Sequence, residues 1–219
     1  MKETSKSQQI WGPLEKSVLV GSGIDIGSGP DPVRGARPFD KEDGDANDIT
    51  KYVHEQFDFV YSSHCLEHMH DPRHALSEWW QLVRPGGHLF FLVPDEDLYE
   101  QGVFPSRFNP DHKATFTISK ARSWSPVSYN VLDLARELPN SRLVTIQLQD
   151  TGYDRSLLRY GVTAGPIGRF IARQYHSLRK HTGLRVGLIE GLLQRFLPVD
   201  QTHSRNALAQ IECIVQKLP

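Results

Sequence analysis

Three residues near the start of the chain, Asp25, Gly27 and Gly29, have the types and spacing of a ligand-binding turn. The flanking Ile24 and Ile26 predict a short apolar strand that runs directly into this turn. Glycine has no Cβ, so the backbone can approach a ligand closely, and a turn after a strand offers N–H groups to it. The turn lacks the third glycine of the dinucleotide fingerprint, which disfavours a nicotinamide-dependent oxidoreductase.

More acidic residues follow other predicted strands. Asp40 is expected at the end of a short second strand, and Asp45 and Ala46 lie in the turn after it. Asp95 and Glu96 end a later, nearly all-apolar strand. Because ligands bind beyond the carboxyl ends of parallel strands, we expect these side chains along one edge of a sheet. Carboxylates there can accept hydrogen bonds from hydroxyl and amino groups.

A long polar loop over 98–127 contains a candidate catalytic base. His112 lies beyond the strand end, where a substrate is expected, and imidazole titrates near neutral pH. We expect Arg107 of the same loop, together with Asp95 and Glu96, to bind the substrate. Two alternatives stay open. His112 either only pins the loop, or it holds a divalent metal with the three acids that end the strand.

The composition predicts a globular protein and argues against nucleic-acid binding, secretion and a membrane span. Of 219 residues, 38% are hydrophobic and 23% are charged, and the formal net charge is −1. A near-neutral charge gives no general attraction to nucleic acid. The two cysteines are far apart, and the chain has neither a signal-peptide core nor a run of about 18 apolar residues, so we expect a cytoplasmic protein. The pattern gives no indication of the oligomeric state.

These candidate residues need a framework of alternating strands and helices. Aromatic and β-branched residues predict a strand over 57–62, and Asp71-Pro72 begins a helix whose apolar residues face the core. Two strands nearer the C-terminus close the sheet. We therefore predict an α/β protein with three parts: a lead over 1–20, a cofactor-binding domain over 21–150 plus 207–219, and a basic helical insertion or cap over 151–206.

The ordered set of signals resembles the class I S-adenosylmethionine-dependent methyltransferases. The matching pieces, in order, are Ile24 to Gly29, Asp40, Gly44 to Ala46, Phe57 to Val60 with Cys65 to Met69, and Leu82 to Gly87. The resemblance covers about residues 20 to 120 and is carried by the order of the five pieces. It implies a Rossmann-like, mostly parallel sheet with an antiparallel last strand.

The resemblance also implies the cofactor and the roles of several residues. S-adenosylmethionine would be held by Asp40 at its ribose hydroxyls, by Asp45 and Ala46 at its adenine, and by the glycine turn at its methionine tail. The Leu-Glu-His element is most similar to the branch that methylates sugars and other small molecules. That branch implies O-methylation in glycan or lipopolysaccharide biosynthesis. A non-catalytic module that retains the cofactor fold is the alternative function.

Four histidines and Glu67 form a further cluster between positions 64 and 74. Histidine and carboxylate are good metal ligands, so a metal site is one interpretation. The resemblance favours another, in which Glu67 and His68 form a helix-start element beneath the cofactor, and we predict no metal here. His64, immediately after a strand, is expected to meet the cofactor or the substrate.

The predicted insertion is basic, with nine Lys/Arg against three Asp/Glu from 151 to 206. Arg169, Arg173 and Lys180 share one face of a predicted helix. Such a helix could bind an anionic or lipid-linked acceptor, or make peripheral contact with the inner face of a membrane through 166–196. The alternative is a helix face that only meets water.

Overall fold

The computed structural model describes residues 3–118, 120–162 and 198–219, and within these ranges a six-stranded sheet forms the centre. Its strands are β1 (Gly23–Ile26), β2 (Ala36–Phe39), β3 (Phe57–Ser63) and β4 (Val83–Pro94), followed later in the chain by two more. A separate parallel pair is formed by β5 (Thr115–Thr117) and β6 (Ser128–Asn130). The last two strands of the large sheet are β7 (Ser141–Gln149) and β8 (Gln210–Lys217).

Strand directions confirm the predicted α/β class. The order across the large sheet is β2-β1-β3-β4-β8-β7. The first four strands run parallel, and β8 is antiparallel to both of its neighbours, β4 and β7. This is the mostly parallel, Rossmann-like sheet with an antiparallel last strand that was expected. The carboxyl ends of β1 to β4 therefore share one edge.

The central strands are apolar on both faces, as expected for a parallel sheet that is covered on both sides. In β4, Leu89, Phe91 and Val93 face one core cluster, whereas Phe90 and Leu92 face a second cluster. The alternation follows from the two-residue repeat of a strand. Burial on both faces makes the sheet a rigid support for the polar residues at its carboxyl edge.

Within the described ranges the helices are short. They are α1 (Glu3–Gln8), α2 (Pro13–Val18), α3 (Pro72–Gln81), α4 (Val131–Glu137) and α5 (Gln201–Ser204). The predicted helix after Asp71-Pro72 is confirmed as α3. The Asp71 carboxylate accepts hydrogen bonds from two backbone N–H groups of the first turn of α3. Pro72 suits this turn because it has no N–H group that would need an acceptor there. The buried Trp79 donates its Nε1–H to the Ala46 carbonyl at 2.8 Å, which ties α3 to the turn after β2.

The N-terminal lead, expected to precede the domain, packs against the sheet from residue 3 onward. The Trp11 ring lies against Tyr61 and Phe90, with centroid distances of 5.8 and 5.5 Å. The Ser5 hydroxyl donates to an Asp31 carboxylate oxygen at 2.6 Å, and the Ser5 N–H donates to the other at 2.7 Å. These contacts make the lead part of the core.

The predicted basic helix that carries Arg169, Arg173 and Lys180 lies outside the described residues. The expected membrane contact through this segment lies there too. Among the residues that the structure does describe, no helix has the length and apolar character needed to cross a bilayer.

Replacing Trp11 by Ala should destabilise the whole domain, because the ring is buried between two aromatic side chains of the sheet. We expect a loss of about 3 kcal/mol in the free energy of unfolding, measured by urea denaturation. Leu14→Ala is the matched control, because Leu14 is 40% exposed and its truncation should change stability by less than about 1 kcal/mol. Equal effects of the two substitutions would show that the lead is not part of the core.

Candidate active site

Two cavities lie at the carboxyl edge of the parallel strands. The first has a volume of about 630 Å³, within the range of roughly 300–1,000 Å³ that is usual for small-molecule sites. It is lined by Gly27, Phe39, Asp40, Lys41, Gly44, Asp45, Ala46, Tyr52, His64, Cys65, His68, Met69 and Asp111. Its position beyond β1, β2 and β3 is where ligands bind in open α/β sheets.

Gly27 allows the turn after β1 to reach this cavity. Its φ is +72°, in the region that favours glycine, and its N–H donates to the Phe39 carbonyl at 2.8 Å. A Cβ at this position would lie 2.5 Å from the Cys65 Sγ. Two constraints thus require glycine: the backbone angle and the close packing of the turn against Cys65. Gly29 does not line the cavity, but its N–H donates to the Asp40 carboxylate at 2.7 Å.

The residues predicted to hold ribose and adenine line the first cavity together. Asp40 is half-buried and accepts the N–H groups of Gly29 and Lys41, which leaves further lone pairs for a ligand. The Asp45 carboxylate accepts the Asn47 N–H at 2.9 Å and caps a 3₁₀ turn that begins at Ala46. Carboxylates near aromatic and apolar side chains fit a ligand with sugar hydroxyls and a purine. S-adenosylmethionine has both groups.

Asp25 lies beneath this cavity rather than on its wall. One carboxylate oxygen accepts the Val33 N–H at 2.7 Å, and the other is buried without a hydrogen-bond partner among the described residues. Burial, together with the charges of Asp31 and Asp40, outweighs that hydrogen bond and raises the pKa of Asp25 to about 7. Asp25 therefore orders the loop after β1 and makes the stability of the fold depend on pH.

The second cavity, of about 170 Å³, adjoins the first, and both are lined by His64 and His68. Its wall also contains Glu3, Lys6, Glu67, Tyr99, Asn109, His112, Thr202, Ala207, Leu208, Ala209 and Gln210. Polar side chains dominate this wall. Ligands in the two cavities would therefore meet beside the two shared histidines.

Backbone pairing between distant segments places His112 in the second cavity. The N–H groups of Lys113 and Ala114 donate to the Glu67 carbonyl at 2.8 and 3.2 Å. The Lys113 Nζ also donates to the His68 carbonyl at 2.7 Å. These three bonds tie the loop after β4 to the 3₁₀ turn after β3. The side chains of Glu67, His68 and His112 are consequently brought together.

His112 is buried and oriented by a carboxylate. Its Nδ1 lies 2.7 Å from Oε1 of Glu100, and its ring stacks on Tyr99 with a centroid distance of 5.2 Å. Glu100 can only accept a hydrogen bond when ionised, so it favours the tautomer with the proton on Nδ1. The Nε2 atom is then left as an acceptor, 3.9 Å from Oε1 of Glu67. Nε2 is therefore the ring nitrogen that could accept a proton from a ligand in this cavity.

Glu67 and His64 form a buried charged pair at the boundary of the cavities. The His64 Nδ1 lies 3.4 Å from Oε1 of Glu67, and its Nε2 lies 2.8 Å from Oε1 of Gln210. Burial favours the neutral ring, but the Glu67 carboxylate outweighs burial and raises the pKa of His64 to about 9. Burial likewise opposes ionisation of Glu67, yet His64 and the other nearby histidines hold the pKa of Glu67 below its usual value.

The predicted substrate residues Asp95 and Glu96 line neither of these cavities. Asp95 accepts the N–H groups of Asp97 and Leu98 and so caps the π-helical turn Glu96–Glu100. Glu96 is fully buried and accepts hydrogen bonds from Ser123, Ser128 and Lys120. Neighbours in its own turn thus give Asp95 a structural role, and partners distant in sequence do the same for Glu96. Neither acid lines the cavity that contains His112.

Arg107, also predicted to bind substrate, lines neither cavity. Its guanidinium donates to the carbonyl oxygens of Val162 and Gln101, at 2.5 and 3.1 Å. It therefore fastens the loop after β4 to the segment that follows β7.

The sequence analysis missed two candidate functional residues, Glu100 and Tyr99. Their spacing from His112 gives no recognisable motif, because the contact depends on how the intervening loop folds.

The chain matches a family model described as a methyltransferase domain over residues 13–186. Because this match spans most of the chain, the protein belongs to that family of enzymes. S-adenosylmethionine, the methyl donor implied by the sequence motifs, fits the donor and acceptor groups of the first cavity. No curated protein matches the chain at a significant level.

Solved structures share the fold at low sequence identity. A protein from Galdieria sulphuraria, provisionally assigned as a sarcosine dimethylglycine methyltransferase, has a TM-score of 0.50 at 10% identity over 99% of this chain and 84% of its own. The phosphoethanolamine N-methyltransferase 2 of Haemonchus contortus has a TM-score of 0.50 at 13% identity, covering 99% and 52%. The cyclase SpnF has a TM-score of 0.50 at 12% identity, and the match covers 99% of this chain and 80% of SpnF. Such distant similarity shows the fold alone.

Replacing Asp25 by Asn should stabilise the folded state at neutral and alkaline pH. Because burial raises the pKa of Asp25 from 3.8 to about 7, its contribution to stability is lost as the pH rises between these values. The amide can still accept the Val33 N–H, and it does not ionise. The melting temperature of the variant should exceed that of the wild type by a margin that grows from about pH 4 to about pH 7 and then levels off.

Glu42→Gln serves as the control for this experiment, because Glu42 is exposed in the same part of the structure. Its melting temperature should follow that of the wild type across the same range. A difference between Asp25→Asn and the wild type that does not vary with pH would contradict the assigned pKa.

Proposed function

We propose that this protein transfers a methyl group from S-adenosylmethionine to a hydroxyl of a small polar acceptor, such as a sugar or glycan. One observation carries the proposal. A cavity suited to the cofactor meets a smaller polar cavity at His64 and His68, and the second contains a buried, oriented histidine, His112. Family membership supports methyl transfer, and the second cavity supports the kind of acceptor.

The cofactor half of the proposal assigns roles to residues of the first cavity. Asp40 would accept hydrogen bonds from the ribose hydroxyls, and Asp45 with Ala46 would hold the adenine. Gly27 would admit the methionine tail, and His64 would lie at its reacting end. S-adenosylmethionine, when bound, supplies an activated methyl group on a sulfonium. The protein contributes orientation, because holding two reactants in line removes much of the entropic barrier.

The acceptor half of the proposal gives His112 the role of proton acceptor. An alcohol is a weak nucleophile, and removing its proton in the transition state contributes roughly 10²–10⁴-fold in rate. The Glu100 carboxylate on Nδ1 keeps Nε2 available and stabilises the imidazolium that forms. Stacking on Tyr99 fixes the ring. These contacts support a base that is held in one orientation before the acceptor arrives.

The size and polarity of the second cavity support a hydroxyl-bearing acceptor of which only one end enters. Its volume of about 170 Å³ is below the usual range for whole ligands, roughly 300–1,000 Å³. Asn109 and Thr202 offer neutral amide and hydroxyl groups of the kind that bind sugars. An anionic or lipid-linked acceptor bound by residues 166–196, at the inner face of a membrane, remains a prediction from the charge pattern alone.

Asp40→Ala should weaken the binding of S-adenosylhomocysteine by about 10- to 100-fold, the value of one or two hydrogen bonds to a charged group. Isothermal titration calorimetry measures this directly. Glu42→Ala is the matched control, because it removes an exposed carboxylate two residues away that does not line the cavity. Wild-type affinity in Asp40→Ala would remove the ribose assignment, and no measurable binding by the wild type would refute the proposed cofactor.

His112→Ala should lower turnover by roughly 10²–10⁴-fold while the affinity for S-adenosylhomocysteine stays unchanged. Turnover is followed as release of S-adenosylhomocysteine across a panel of sugars and amines. His74→Ala is the control, because His74 is an exposed histidine that pairs with Asp48 and lines neither cavity. A loss of less than about threefold would exclude His112 as the base. Cofactor binding without turnover on any acceptor would favour a non-catalytic module.

A further inference from the structure

We propose that Glu67, His68 and His112 form a binding site for a divalent transition-metal ion at the boundary of the two cavities. One oxygen or nitrogen from each side chain lies within 4.8 Å of the corresponding atom of the other two. Two histidines and one carboxylate, with positions left open for another ligand, are the donor set of many catalytic zinc and iron sites. The sequence alone does not indicate this set, because His112 is distant from Glu67 along the chain.

The separations suit a site that closes slightly on binding. Nε2 of His112 lies 3.9 Å from Oε1 of Glu67, and the ring centroids of His68 and His112 are 5.0 Å apart at a near-perpendicular angle. Bonds of about 2.0–2.2 Å to zinc place neighbouring ligand atoms roughly 3.0–3.5 Å apart. Side-chain shifts of about 1 Å would therefore complete the site. The backbone bonds from Lys113 and Ala114 to Glu67 already fix the two segments.

The Glu67 carboxylate provides an independent reason to expect a cation. It is fully buried, and neither of its oxygens has a hydrogen-bond partner among the described residues. A buried carboxylate without hydrogen bonds carries a large desolvation penalty. His64 lies at 3.4 Å and compensates part of its charge. A metal ion bound on the cavity side would satisfy the remaining lone pairs.

Both histidines have a carboxylate behind the ring, as metal-binding histidines usually do. Nδ1 of His112 lies 2.7 Å from Glu100, and Nδ1 of His68 lies 2.9 Å from Asp111. Such outer carboxylates fix the tautomer and raise the basicity of the opposite nitrogen. Each Nε2 is thereby left for a metal bond. The same arrangement at both histidines of the cluster favours metal binding over a packing role.

The catalytic use of the ion rests on the proposed function, because the ion would lie where the acceptor hydroxyl enters. A divalent metal lowers the pKa of a bound hydroxyl, so the O–H bond breaks and the proton passes to solvent water. Nε2 of His112 is then a metal ligand. Without the metal, His112 takes the proton itself. Both routes need His112, so His112→Ala alone does not distinguish them.

Direct metal binding provides the test, with ZnCl₂ and MnCl₂ as probes and no cofactor or acceptor present. Calorimetry should show one ion per wild-type chain, and His68→Ala and His112→Ala should each weaken binding at least about 100-fold. Glu100→Gln should weaken it by about 10- to 100-fold, the usual effect of an outer-sphere partner. The double variant His70→Ala/His74→Ala removes two nearby histidines outside the cluster and should retain wild-type affinity.

The outcomes separate this inference from the proposed function. If the wild type binds S-adenosylhomocysteine but neither ion, or if both ions bind equally well to His68→Ala, the metal site is refuted while the proposed function stands. If one ion binds as expected but no acceptor is methylated with it, the proposed function fails instead. His68 is partly exposed, so its alanine variant should remain folded, as checked by its melting temperature.

Discussion

A single buried carboxylate, that of Glu67, is the charge around which the smaller cavity is arranged. Burying one ion costs several kcal/mol unless charges and donors surround it. The compensating charge is that of His64, from the end of β3, and Gln210 of β8 holds the His64 ring. The loop after β4 brings His112 to the same carboxylate. His64 must be in place for the buried charge to be tolerated.

The sheet makes this arrangement possible because its parallel strands end at one edge. Because β3 and β4 are buried on both faces, the positions and directions of their carboxyl ends are fixed. The acids after β2 then line the larger cavity, and the histidines after β3 line both cavities. Within the described residues, one edge of the sheet thus presents both cavities. The Trp11 ring of the N-terminal lead packs against Tyr61 of β3 and Phe90 of β4, and so covers one face of these two strands.

The sequence predicted well what depends on local patterns and poorly what depends on distant partners. Gly27, Asp40 and Asp45 follow strand ends that local apolar patterns make recognisable, and the structure places all three on the cavity wall. Asp95 and Glu96 carry a similar local signal, but Asp95 caps its own turn, and four donors distant in sequence engage Glu96 away from the cavities. The composition of a loop does not reveal such partners. The same holds for Glu100, whose contact with His112 depends on the path of the loop between them.

The two cavities also differ in how they relate to the family. The family match covers residues 13–186, which include every residue lining the larger cavity. The smaller cavity takes Glu3 from before that region, and Thr202 and Gln210 from after it. The smaller cavity is thus built partly from segments outside the matched region, whereas the larger cavity lies wholly within it. A fold shared at low identity therefore bears on the larger cavity more directly than on the smaller one.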